Sequence, residues 1–288
     1  MIFSREDILK TINSTPRRRK ISSDFKLLKP PGEFGDDWNL FFPFGDSYIP
    51  AFESVFSIET IGFRKNPTTS GYYTYLKNVS EWEIEALQNW LAIFYECVTI
   101  RDCLTMSFAL DFDRTDGNPE NEKTNIGTLR ENAKPYDKPL ISSHIENARK
   151  LAELCVKFLE RIQCYNKADV LVGVPPSDPT KSYNLPSFLA NEIGRLWNKE
   201  NFSDCLRTLR PREGLKSIPI KEKLNILEGT IEVDSAYFKN KRVLLIDDLY
   251  QSGITMNYVG MLLLEAGARE VYGLACEKTC RNDDNVSS

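Results

Sequence analysis

The sequence predicts an α/β protein: a parallel sheet flanked by helices, preceded by an additional aromatic-rich N-terminal region. Three observations carry this. Short apolar runs alternate with helical periodicity from residue 168 to 277, the pattern of strands joined by crossover helices. One of those runs ends in two adjacent carboxylates, Asp247 and Asp248. The first hundred residues instead concentrate rings, Gly and Pro.

In chain order, Trp38, Phe41, Phe42, Phe44, Tyr48, Phe52 and Phe56 crowd residues 34–63. That composition favours short strands and turns over helices. Ser80 and Glu83 then form a capping box, and Ile84, Leu87, Leu91, Phe94 and Tyr95 follow as an apolar stripe at helical spacing. The stripe reads as core or domain interface. Residues 104–110 read as a strand and 111–125 as a polar loop. A long helix over 143–162 carries Ile145, Ala148, Leu151, Leu154, Cys155 and Phe158 on one face. Residues 169–175 are a short apolar run between breakers, as in a buried parallel strand. A helix at 185–197, a strand near 204–209 and a basic stretch to 225 come next. Last are a strand at 242–246, a helix at 255–266 and a strand at 270–276. The division expected is 1–100 for the N-terminal region, of unassigned role, and 101–288 for the sheet domain.

Composition narrows the function classes. With 288 residues, 41% of them hydrophobic and 27% charged, the chain can bury a core and stay soluble. A formal net charge of −4 argues against gripping nucleic acid over the whole surface, since phosphate neutralisation needs a cationic face. Arg17, Arg18, Arg19 and Lys20 form one local basic run. Such a run is usually just solvated, and it is the candidate for any nucleic-acid contact. Seven cysteines lie without a CxxC pair, and His144 is the single histidine, so no four-ligand zinc set reads out. Free thiols in a reducing cytoplasm account for them. The start is charged by position five, and no window approaches ~18 uninterrupted apolar residues. The expectation is a cytoplasmic protein with no membrane partner.

The chemistry concentrates at 242–256. A buried strand over 243–246 delivers Asp247 and Asp248, and then Tyr250, Gln251, Ser252, Gly253, Ile254 and Thr255 lead into a helix. In open α/β sheets, ligands bind beyond the carboxyl ends of the strands. A short loop opening a helix offers backbone N–H groups and the positive end of the helix dipole, which suit a phosphate. Gly253 permits close backbone approach, and Ser252 and Thr255 add hydroxyl donors. Two carboxylates beside a phosphate make sense where they face hydroxyls or a metal. A phosphorylated ribose offers both.

This segment resembles the phosphoribosyl pyrophosphate (PRPP) loop of type I phosphoribosyltransferases: a strand, two acids, and a Thr/Ser-Gly-x-Thr turn. The resemblance spans about residues 129–277, making 101–288 a phosphoribosyltransferase-like domain. It implies that Asp247 and Asp248 hold the ribose 2′- and 3′-hydroxyls. They would touch Mg²⁺ only indirectly, through Mg-PRPP, while residues 251–255 wrap the 5′-phosphate. Val174, Pro175, Pro176 and Ser177 fall where this family places its pyrophosphate loop, and Val174 with Pro175 looks like the ComF branch. Ser177 and Lys181 are nearby polar candidates. Arg207, within Leu206-Arg207-Thr208, resembles the start of the mobile loop, which Arg210, Arg212 and Lys216 would make a cationic lid. The chain departs from the ComF pattern in mid-loop, where Glu222 stands near an expected Arg, and in the bulk of Tyr250 and Gln251.

The implied reaction transfers phosphoribosyl from PRPP to a nitrogen acceptor with release of pyrophosphate. The alternative is a catalytically silent PRPP- or nucleotide-binding regulator, or a subunit of a DNA-uptake or retron-type phage-defence complex, taking protein partners through the N-terminal region. A minor alternative rests on Asp111 and Asp113, in Asp111-Phe112-Asp113-Arg114-Thr115, which resembles the nucleophile motif of haloacid dehalogenase-type phosphatases. Against it, a turn sequence follows Thr115 where that family begins a helix. A nucleotide-hydrolysing P-loop is excluded because no Gly-Lys pair occurs.

Overall fold

The computed structural model describes residues 2–13, 18–19, 21, 25–32, 35–43, 45–69, 71–136, 138–212 and 218–280. The chain opens with α1 (Arg5–Asn13) and β1 (Arg18–Arg19), then β2 (Leu28–Lys29), β3 (Trp38–Phe42), α2 (Gly45–Val55), β4 (Arg64–Lys65) and β5 (Tyr72–Leu76). Next come α3 (Glu81–Ala92), β6 (Val98–Ile100), β7 (Ser107–Phe112), α4 (Asn125–Ala133) and α5 (Ser142–Ile162). Then follow β8 (Val170–Gly173), α6 (Leu185–Trp197), β9 (Glu200–Asn201), β10 (Leu206–Thr208), α7 (Ile220–Leu227) and β11 (Ile231–Val233). The chain closes its described part with β12 (Arg242–Tyr250), α8 (Ile254–Glu265) and β13 (Glu270–Lys278).

A seven-stranded sheet runs β1-β6-β7-β13-β12-β8-β9. The pairings from β7 through β9 are parallel, as the alternating pattern predicts. At the other end β6 pairs antiparallel with β7, and β1 with β6, so the sheet is mixed. It therefore takes in strands on both sides of residue 100. Strands β2-β3-β5-β4 form a separate antiparallel sheet, and β10 with β11 a small antiparallel pair.

Alternation along β12 sets the two halves of the core. Leu244 and Ile246 face α5 and α6, in a cluster that continues into Phe42, Phe52, Trp90 and Phe94 of the aromatic-rich region. Val243 and Leu245 face the other way, against Val259 and Leu263 of α8 and Ile8 of α1. Each fully buried Leu, Val or Ile here stabilises the fold by about 1.5–3 kcal/mol.

Several elements differ from the sequence reading, and three have a clear physical cause. Residues 34–63 contain α2, where strands and turns were expected. Tyr48, Ala51 and Phe52 are buried at i, i+3 and i+4, and Tyr48 packs on Phe42 and Phe94 with ring centroids 5.1 and 4.9 Å away. That packing outweighs the ladder bond that Pro50 removes. The polar stretch 111–125 leads into α4, which Thr124 caps by accepting from the Gly127 amide at 3.0 Å. The strand expected at 242–246 runs on to Tyr250, because β13 supplies partners as far as Lys278. No described helix is long and apolar enough to cross a membrane.

Candidate functional site

Asp247 and Asp248 leave β12 on opposite faces, as strand alternation requires. Asp248 points to the side covered by α4. There its carboxylate lies 2.7 Å from Arg130 Nε and 2.6 Å from Lys134 Nζ, with the acid and Arg130 both largely buried. Burial works to raise the Asp248 pKa, and the two cations more than cancel it, holding the group below the usual carboxylate range. Asp247 is pushed up, first by burial and then by the charge of Asp248. Its Oδ1 accepts from the Asp248 amide at 2.8 Å. Glu277, on the neighbouring strand and 3.6 Å from Arg130, is raised by burial to about 8.

The turn after β12 is shaped by Tyr250. Its ring is buried under the turn, with its hydroxyl donating to Asp102 at 3.1 Å and accepting from Asn257 Nδ2 at 3.2 Å. Gly253 caps α8 at φ 79°, and a Cβ there would lie 2.1 Å from the Tyr250 hydroxyl. Only glycine fits both the dihedral and the approach. Buried Lys278 donates from Nζ to the Gln251 carbonyl at 2.9 Å. Gln251, Ser252, Gly253, Ile254 and Thr255 then line a hollow of about 110 Å³ with Asp247 and Lys223 of α7. The first amides of a helix lack intrahelical partners, so this hollow has the electrostatics of an anion seat.

A second cavity of about 440 Å³ lies on the other side of Asp247 and also takes in Asp248 and Thr255. Val174, Pro175, Pro176, Ser177 and Lys181 line it, together with Arg130, Lys134, Tyr136, Tyr183 and Arg212. The 174–177 turn has each carbonyl held by protein. Asn184 Nδ2 binds that of Val174 at 2.9 Å, Arg212 Nη2 those of Pro175 at 3.0 Å and Pro176 at 2.6 Å, and the Arg212 amide that of Ser177 at 2.8 Å. Thr208 adds a second bond to Pro176, at 2.6 Å. These bonds keep carbonyl oxygens from facing an anion. Arg212 is 5% exposed, and its Nε and Nη1 find no hydrogen-bond partner among the described residues. Burial lowers its pKa to about 10, so it stays charged at neutral pH. A buried cation with unmet donors on a cavity wall is chemically complementary to a polyanion.

The residues singled out in the sequence thus converge, with exceptions. Arg207 is exposed on β10 and lines neither cavity, because its neighbours Leu206 and Thr208 take the inward positions. Arg210 is exposed and donates to the Glu228 carbonyl at 3.2 Å. Lys216, Arg17 and Lys20 lie outside the described residues; Arg18 and Arg19 form β1. Asp111 and Asp113 lie at the end of β7, with β13 between that strand and β12. Asp113 Oδ1 accepts from the Cys280 amide at 2.8 Å. No disulfide forms among the described residues, and His144 accepts from the Ile141 amide at the start of α5. Sequence reasoning missed Arg130, Lys134 and Lys223. The Thr124 cap was the available signal for the first two; nothing local marks Lys223.

Residues 142–276 match the family described as phosphoribosyl transferase domain. Among curated proteins, the amidophosphoribosyltransferase of Bacillus subtilis (strain 168) is 30% identical over 109 residues, 37% of this chain and 21% of that enzyme. The chain therefore matches about a fifth of the length of that relative. On this evidence the protein has an α/β fold of the type I phosphoribosyltransferase kind, and over residues 142–276 it is similar to the phosphoribosyl transferase domain family.

Proposed function

We propose that the chain binds PRPP across the two cavities and transfers its phosphoribosyl group to a nitrogen acceptor, releasing pyrophosphate. The observation that carries the reading is Asp247, first of the acidic doublet, which lines both the small hollow of residues 251–255 and the larger cavity holding Arg212. The hollow takes the 5′-phosphate. Asp247, lining both cavities, accepts from the ribose hydroxyls. Arg212, Ser177 and Lys181 face the pyrophosphate. As that group leaves with several negative charges, a buried guanidinium fixed in advance stabilises the developing charge without reorganising. Asp248 positions Arg130 and Lys134 and holds their charge near the leaving group.

Magnesium fits this donor set only in a limited way. Among the described residues no group of three or more metal-ligating side chains converges, and Asp248 is already held by two cations. Mg²⁺ would thus ride on PRPP oxygens, with Asp247 the chain's own contact, and would supply charge neutralisation. The same saturation of Asp248 favours a second reading, a PRPP-binding regulator without turnover.

Calorimetry with PRPP and Mg²⁺ on wild type and Asp247→Asn tests the site. Loss of binding with an unchanged unfolding curve supports it; unchanged affinity overturns it. Pyrophosphate release with a panel of nucleobases and amines then separates the enzyme from the silent binder.

A further inference from the structure

The antiparallel sheet of the N-terminal region is covered on one side only. Leu40, Phe42 and Leu76 turn into the core. The alternate positions turn outward and meet across the ladder: Asn39 opposite Tyr75, Phe41 opposite Tyr73, Lys29 opposite Asn39, and Arg64 opposite Tyr73. Directly opposed residues share a face, so this face carries two rungs, Lys29 with Asn39 and Tyr75, and Phe41 with Tyr73 and Arg64.

A groove of about 740 Å³ runs over it. Phe25 packs on Phe41 with centroids 5.4 Å apart, and Tyr73 on Tyr75 at 6.0 Å, edge to face. Lys26 and Lys29 stand on one border, and no carboxylate is among the described residues that line the groove. In a chain of net charge −4 that is a local reversal of sign. The opposite border is a turn pinned by Asn66, whose Oδ1 accepts from the Thr68 amide at 2.9 Å and the Thr69 amide at 3.2 Å. On the groove floor, Asn39 is only 9% exposed, and its side-chain amide makes no hydrogen bond to any described residue. A side-chain amide on the floor of an open groove offers a donor and an acceptor that match the polar edge of a nucleobase.

We propose that this face binds single-stranded nucleic acid. Unstacked bases lie on Phe41, Tyr73 and Tyr75, the phosphates follow Lys26, Lys29 and Arg64, and Asn39 meets one base edge. Aromatic rings on an open sheet with cations along the border hold single strands with little dependence on sequence. A duplex hides its base faces and gains only the charge contact. The site is separate from the PRPP cavities and does not depend on how they are read. It also differs from the basic run at Arg17, Arg18 and Arg19.

The test is fluorescence anisotropy of the full chain with a labelled oligothymidylate of about 16 nucleotides, with the matching duplex as competitor. Saturable binding, displaced poorly by duplex, is expected. Its log affinity should fall with log salt by about 0.7 per phosphate contact. Tyr75→Ala and Phe41→Ala should each weaken it about tenfold, on the scale of one lost base stack. Lys26→Glu, at an exposed position that leaves the fold intact, should weaken it as well. Absence of binding by wild type at micromolar protein overturns the proposal, as does wild-type affinity in Tyr75→Ala or Lys26→Glu. Equal displacement by duplex also overturns it, and assigns the face to charge alone.

Discussion

Arg130 and Asp248 are 118 residues apart in sequence and meet at 2.7 Å, guanidinium against carboxylate, with little of either exposed to water. The pair ties α4 to the strand that carries the acidic doublet. Removing one member of a buried pair leaves the other charged and poorly solvated. Arg130→Met should therefore destabilise the protein by about 3 kcal/mol, read as a lower midpoint in urea. The depressed pKa of Asp248 adds an acid limb. Its stabilisation is present above the unfolded value near 3.9 and is lost as pH falls through the lower folded value. In Arg130→Met that limb should move to higher pH.

Glu277 behaves in the opposite sense. Burial raises its folded pKa to about 8, above the unfolded carboxylate range, so the folded state holds a proton that the unfolded state releases. Stability should decline as pH rises from about 4.3 to the folded value and then level off. Glu277→Gln, neutral throughout, should flatten urea midpoints measured over that window. A slope unchanged by the substitution would assign it to another group, with Asp247 the next to examine.

Gly253→Ala meets two obstacles together, a φ of 79° and the Tyr250 hydroxyl 2.1 Å from the new methyl. Such strain costs on the order of 1–3 kcal/mol and reshapes the turn over the small hollow. A lower melting temperature with PRPP affinity reduced at least tenfold is expected. Tyr250→Phe should not rescue it, because the ring carbon Cζ would still lie 2.3 Å from that Cβ.

Arg212 and Arg207 give a contrast between two arginines of one basic stretch. Arg212 lines the larger cavity with two buried nitrogens that find no partner among the described residues, and Arg207 lies outside it. Arg212→Leu should weaken Mg-pyrophosphate binding by about 1.5–3 kcal/mol, the worth of a charged hydrogen bond, when titrated calorimetrically. Arg207→Ala should leave that affinity within about twofold, the small effect of an exposed charge.

Legibility in the sequence followed locality. The strand-turn-helix at 242–266 is written in adjacent residues, so Asp247, Asp248 and Gly253 were found together. The 169–175 run and its prolines gave the second wall for the same reason. Arg130 and Lys134 were not found, because their meaning depends on Asp248, more than a hundred positions away. Arg212 reads in sequence as one arginine of a cationic lid, and only its hydrogen bonds to the Pro175 and Pro176 carbonyls separate it from Arg207 and Arg210. The helix α2 was masked by its own rings, whose preference for strands gave way to mutual packing.

The large sheet ends at both margins in strands of two residues, β1 and β9. Its long members, β12 and β13, are paired on both sides, so among the described residues no extended ladder of this sheet is left open at the rim. A row of unmet amides and carbonyls is what recruits a second chain into cross-β growth. A rim of two-residue strands gives a second chain little to pair with, which guards so apolar an interior against edge-to-edge growth.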